Sequence, residues 1–199
     1  MRVSLRGGVL ALVWLAAVPG RASAEWQLKP FLGVTFGGGT TFVDLEQAAA
    51  QLNFAVGISG VLLGDVLGIE ADLGDAPGFF QSGAQRLVVK SSATTLTGNL
   101  VVTLPRRLTE YSLRPYFAGG AGLMHARIDD FLGVLRVTST LPAMDVGGGV
   151  TGFLTTRLGL NWDVRYFRTV GGTDEGRGLS FGPEQLSFWR ANMGLAIRY

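Results

Sequence analysis

The 199 residues include one histidine and no cysteine, which removes disulfides, thiol catalysis, a lipid-modified cysteine and multi-histidine metal centres. His125 follows Met124 near the end of an apolar stretch, a place where a Ser-His-acid arrangement could assemble. Ala126 comes next, so there is no adjacent His-Ser pair, and a rim histidine is the expectation. Asp129 and Asp130, with Asp145 not far along the chain, offer the oxygen ligands calcium takes. Two adjacent carboxylates do not define such a site, and a solvated connection is expected instead. Gly37-Gly38-Gly39 and Gly119-Gly120-Ala121-Gly122 are followed by no Lys-Ser or Lys-Thr and open no helical pattern. Glycine there is expected to relieve crowding or bend a strand. These residues predict no catalytic set, no metal and no cofactor.

A different set of charges is more informative. Lys29, Glu70, Asp72, Arg114, Asp145, Asp163, Arg165 and Arg190, together with Arg198, lie in the middle of segments that alternate polar or small residues with apolar ones. In a strand, successive side chains point to opposite faces. The last segment sets Trp189, Ala191, Met193, Leu195, Ile197 and Tyr199 against Arg190, Asn192, Gly194, Ala196 and Arg198. The seventh sets Leu158, Leu160, Trp162, Val164 and Tyr166 against Gly159, Asn161, Asp163 and Arg165. Six more such segments begin near Trp26, Asn53, Leu67, Leu96, Leu113 and Met144. Eight segments, each near the ~9–11 residues of a tilted membrane strand, tile the chain after residue 24.

Connections alternate in length. Short ones fall near Gly64-Asp65, at Pro105-Arg106-Arg107 and near Thr155-Thr156; longer ones cover roughly 38–51, 75–92, 126–141 and 170–186. Short turns on one side and long loops on the other are the arrangement of bacterial outer-membrane barrels.

Alternation alone also suits a soluble barrel, in which the mid-segment charges would form a solvated outer face. In a membrane barrel the apolar set meets lipid and the charges pair inside a narrow lumen. The membrane solution is favoured by aromatics near segment ends (Trp26, Phe36, Phe54, Phe79, Trp162, Phe188 and Tyr199), where interfacial girdles form. It therefore predicts an all-β, antiparallel up-and-down transmembrane barrel of about eight strands, with Leu160 facing lipid near mid-span.

The N-terminus supports the same placement. Arg2 and Arg6, an apolar stretch from Gly7 to Val18, a break at Pro19-Gly20-Arg21 and then Ala22-Ser23-Ala24 read as a cleavable signal peptide over 1–24. The apolar stretch is shorter than the ~20 residues of a spanning helix. Residues 25–199 are then the barrel domain. Arg2, Arg6 and Arg21 are three of the 17 basic residues, leaving 14 against 15 acidic ones, a net of −1. Apparent basicity thus belongs to the precursor, and nucleic acid is not an expected partner. Thirty glycines and a 47% hydrophobic content, without a low-complexity repeat, suit crowded or bent strands.

The stretches Leu67–Leu73, Thr97–Pro105, Leu113–Leu123 and Trp162–Phe167 resemble strand patterns of the outer-membrane protein β-barrel domain family, the small OmpA- and OmpX-like barrels. That resemblance spans nearly the whole of 25–199. Met193, Leu195, Ile197 and Tyr199 resemble the C-terminal signal read by the barrel-assembly machinery, which implies that machinery and outer-membrane lipid as partners and the cell outer membrane as location. No peptidoglycan-binding domain is expected after the last strand, and a monomer is expected. Three functions follow for test: a non-enzymatic structural or surface-interaction barrel acting through four external loops, a narrow channel for ions or small apolar solutes, or a lipid-modifying enzyme. The inward charges are read as a plugged, ion-paired core rather than a gated pore.

Overall fold

A computed structural model describes residues 24–40, 52–79, 88–105, 113–130, 136–170 and 186–199. The eight expected segments are strands: β1 (Glu25–Thr40), β2 (Asn53–Leu63), β3 (Leu67–Pro77), β4 (Val88–Thr103), β5 (Leu113–Asp130), β6 (Arg136–Phe153), β7 (Leu158–Thr169) and β8 (Leu186–Arg198). Each is antiparallel to the next, and β8 closes on β1. Closure leaves no unpaired sheet edge, which is the condition for β-structure in lipid.

The apolar alternation points outward. Leu32, Phe54, Ile69, Leu100, Phe117, Val146, Trp162 and Met193 are exposed, whereas Lys29, Glu70, Asp72, Arg114, Asp145, Asp163, Arg165 and Arg190 are buried in the lumen. A water-soluble barrel would reverse that arrangement, so the outer surface is made for lipid. The outward band also holds a ring pair, Tyr166 and Trp189, with centroids 5.1 Å apart.

Neighbouring strands are staggered. The pairing ladder can be followed from Gln27 through Val61, Glu70, Asn99, Gly120, Asp145 and Phe167 to Phe188. Phe188 lies beside Trp189, the partner of Phe36, so one circuit returns to β1 about ten residues further on, at a bulge next to Gly37. Such a stagger tilts the strands by about 40°. Ten residues at ~3.3 Å each, inclined that far, rise about 25 Å, the height of a membrane barrel's apolar band. Gly37 adopts φ 58°, a left-handed conformation that glycine takes without strain and that the bulge requires.

Several expected boundaries shift. Short links at 64–66 and 154–157 agree with expectation, and Gly64 N–H donates to the Leu67 carbonyl at 2.8 Å across the first. The link expected at Pro105-Arg106-Arg107 spans 104–112, and Arg106 and Arg107 lie outside the described residues. The link expected at 126–141 contracts to 131–135, because β5 and β6 continue as a hairpin past the apolar band. Beyond lipid the outward positions turn polar, as at Arg127, Thr138 and Thr140, so the apolar alternation ends before the strands do. Asp129 and Asp130 therefore belong to β5, not to a loop, with Asp129 opposite Arg136. Leu160 faces outward, but it is the third residue of β7 and sits near the short-turn end rather than at mid-span. The predicted signal segment up to Ser23 lies outside the described residues.

Candidate functional site

The lumen is the site where buried chemistry concentrates, and it is stacked in three layers. Parity of the strands decides which residues enter it: every second position of each strand points inward. The long-link end is apolar. Phe79, Met124, Phe167, Leu186 and Phe188 are nearly or fully buried there, ringed by Ala55, Ala76, Ala93, Ala126 and Ala143. Phe188 lies 4.9 Å from Phe79 and stacks on Phe167 at 5.3 Å between centroids. Phe79 and Phe188 were expected in the interfacial girdle, but both face inward. Phe188 shares its parity with Arg190, two residues on, and that parity was the signal in the sequence; for Phe79, just past β3, a turn at Gly78 (φ 76°) brings the ring over the opening.

Beneath the apolar layer, charges fill the middle of the barrel. Arg165 is 1% exposed. Its Nη2 reaches Glu70 Oε1 at 2.8 Å and Asp163 Oδ2 at 3.2 Å, while Nη1 lies 3.7 Å from Asp145. With its amide assigned by its neighbours, Asn99 presents nitrogen to Asp145 Oδ1 (2.8 Å) and oxygen to Arg165 Nη1 (3.0 Å). Arg190 pairs with Asp72 at 2.5 Å and donates to Thr95 at 3.2 Å. It also lies between the rings of Phe31 and Phe167, 4.7 and 4.6 Å from their centroids, a stacking that suits a weakly hydrated planar cation. Ser59 holds the second Asp72 oxygen (2.7 Å), and Asn192 and Tyr116 reach Asp163 at 2.8 and 3.0 Å.

Room for these side chains comes from glycine. The Arg190 guanidinium passes over Gly74, where any Cβ would collide with its Nη1, and the Phe31 ring occupies the space a Cβ on Gly57 would need.

At the short-turn end, Lys29 donates to Thr151 Oγ1 at 3.2 Å and lies 4.6 Å from the centre of the Tyr116 ring. Arg114 donates to the carbonyls of Gly64 and Asp65 at 3.5 and 3.2 Å, and approaches Glu25 at 4.0 Å. Glu25 also binds Arg198 (2.5 Å) and Gln27 (2.6 Å), tying the start of β1 to the end of β8. A cavity of about 10 Å³ lies here, lined by Gln27, Lys29, Val61, Leu63, Val101, Thr103, Arg114, Tyr116 and Thr151.

Eight of the nine predicted inward charges are buried in the lumen, as two groups rather than one, and Arg198 is only partly buried at the short-turn mouth. Sequence reading missed the apolar lumen residues Phe31, Val61, Met124, Phe167 and Leu186, although each shares the parity of an inward polar residue on its own strand. Elsewhere, His125 faces outward and its Nδ1 meets Thr140 Oγ1 at 2.8 Å. Asp145 is engaged with Arg165 in the lumen, and among the described residues no cluster of three or more His, Cys, Asp or Glu is placed to hold a metal. Met193, Leu195 and Tyr199 face outward, and Tyr199 N–H donates to the Trp26 carbonyl at 3.0 Å.

No family model matches the chain, and no curated protein does. Solved structures do. Neisserial surface protein A superposes with a TM-score of 0.63 at 14% identity, covering 90% of this chain and 100% of that one. The N-terminal β-barrel domain of Pseudomonas aeruginosa OprF gives 0.55 at 13%, with 90% and 100% covered. The outer membrane protein OprG from Pseudomonas aeruginosa gives 0.56 at 15%, with 90% and 98% covered. With identities this low the likeness concerns backbone architecture, and by that measure the chain has the fold of the small OmpA- and OmpX-like outer-membrane β-barrels.

Proposed function

We propose that the chain is an integral, non-enzymatic protein of the cell outer membrane, exported by its signal peptide, with a closed lumen and a structural or surface-interaction role carried by the links at its long-link end. One observation carries this reading: the lumen is filled in depth, by the Arg165 and Arg190 networks at mid-height and by Phe79, Phe167 and Phe188 above them. An eight-stranded barrel has room for side chains and little else. Outer-membrane lipid and, during insertion, the barrel-assembly machinery are the partners this reading requires. Met193, Leu195, Ile197 and Tyr199 on the last strand form the segment that the machinery would read.

Planar-bilayer recording on the purified protein tests the closed lumen. No steady open-channel steps are expected from wild type; regular steps of fixed conductance would establish the narrow channel instead. The enzyme is tested separately, by lipid A mass in cells expressing wild type or His125→Ala. Identical lipid A profiles are expected, and a mass change lost in the variant would overturn the non-enzymatic reading.

A further inference from the structure

The two charged layers of the lumen are not individually neutral. At mid-height, two guanidiniums, Arg165 and Arg190, face four carboxylates, Glu70, Asp72, Asp145 and Asp163. At the short-turn end, Arg114 and Arg198 both meet Glu25, while Lys29 is paired with no carboxylate among the described residues. Among the described residues, carboxylates therefore outnumber guanidiniums at mid-height, and the Lys29 ammonium at one mouth is the buried cation without a carboxylate in contact. We propose that this cationic end is a binding site for a small monovalent inorganic anion of chloride's size, held in the cavity on the Lys29 ammonium.

Lys29 carries the site. It is 5% exposed, and among the described residues no carboxylate comes within 4.0 Å of its Nζ. The carboxylates that act on it electrostatically, Glu70 and Asp163, are bound to Arg165. An ammonium has three N–H donors; one is used on Thr151, and the Tyr116 ring flanks the group at 4.6 Å without supplying a countercharge. A buried cation with unused donors is costly unless something neutralises or solvates it. The cavity beside it has a second cation, Arg114, in its wall and no carboxylate among its lining residues. Its hydroxyls already donate elsewhere, Thr103 to the Pro115 carbonyl, Thr151 to Asn161 and Tyr116 to Asp163, and the Gln27 amide is held on Glu25, so the ammonium is the charged donor facing the cavity. Val61, Leu63 and Val101 form the apolar remainder of the wall, which weakens competing hydration and strengthens the Coulomb attraction. About 10 Å³ is space for a single sphere of roughly water's size, so polyatomic anions such as gluconate are too large. The proposal is independent of whether the lumen conducts, because the site lies below the ion-paired layer.

Two measurements decide it. Thermal unfolding of the detergent-purified full barrel is followed in sodium chloride and in sodium gluconate at equal ionic strength. Chloride at a few times its dissociation constant is expected to raise the wild-type midpoint by about 2–4 °C, and Lys29→Met is expected to abolish the difference. Equal midpoints for wild type, or a difference that persists unchanged in Lys29→Met, would overturn the site. Should Lys29→Met fail to fold, crystals of wild type grown in bromide decide alone. An anomalous peak beside Nζ supports the site, whereas density for water without anomalous signal refutes it.

Discussion

Arg165 and Glu70 are 95 residues apart in the chain and 2.8 Å apart in the lumen. Removing such a guanidinium strands several carboxylates in a dry interior, which costs more than the pair itself contributes. Arg165→Met is therefore expected to destabilise the barrel by about 3–5 kcal/mol, measured by urea unfolding in a defined lipid or detergent. Arg165→Met with Glu70→Gln should recover part of that loss, because one of the stranded charges is then gone. That such residues enter the lumen was legible from alternation alone. Which of them pair was not, since partners are chosen by register around the whole ring. The aromatics show the limit from the other side: Phe188 and Trp189 are neighbours in sequence with opposite fates, and position near a segment end does not distinguish them, whereas parity with Arg190 does.

Strand cores were more legible than strand ends. Within lipid, every outward residue must be apolar and the period-two signal is clean. Past the band that requirement lapses, so β5 and β6 run on through His125, Arg127 and Thr140 without an apolar marker. The same depth dependence governs substitutions on one strand. Val164 and Leu160 both face outward on β7, but Val164 lies in the middle of the strand and Leu160 near the short turn at 154–157. Val164→Arg is expected to cost about 2–4 kcal/mol, and Leu160→Arg about 0–1. Equilibrium unfolding of the two variants side by side checks the ordering. Equal costs would mean that the apolar band is displaced along the barrel toward the short turns.

For the molecule as a whole, closure is the property that the individual strands cannot express. β1 and β8 lie at opposite ends of the chain, yet their pairing runs from Gln27–Arg198 to Thr40–Leu186, interrupted at the bulge. A barrel held by a complete ring of backbone bonds is expected to survive detergent without heat, so the purified protein should migrate differently on a gel before and after boiling. A single unchanged band would count against a closed ring. The stagger adds a further constraint on that ring. Because inward and outward positions alternate, strands slide past one another only in steps of two residues without turning every side chain to the wrong face. The total offset around the ring, about ten, is thus one rung on a ladder of even values, and each rung has its own strand tilt and bore. Arg165, Arg190 and the packed rings of Phe79, Phe167 and Phe188 fill the bore of this one rung. The lumen contents thereby act as a gauge: they set the diameter at which the ring locks, and a core substitution too large or too small favours a different ring.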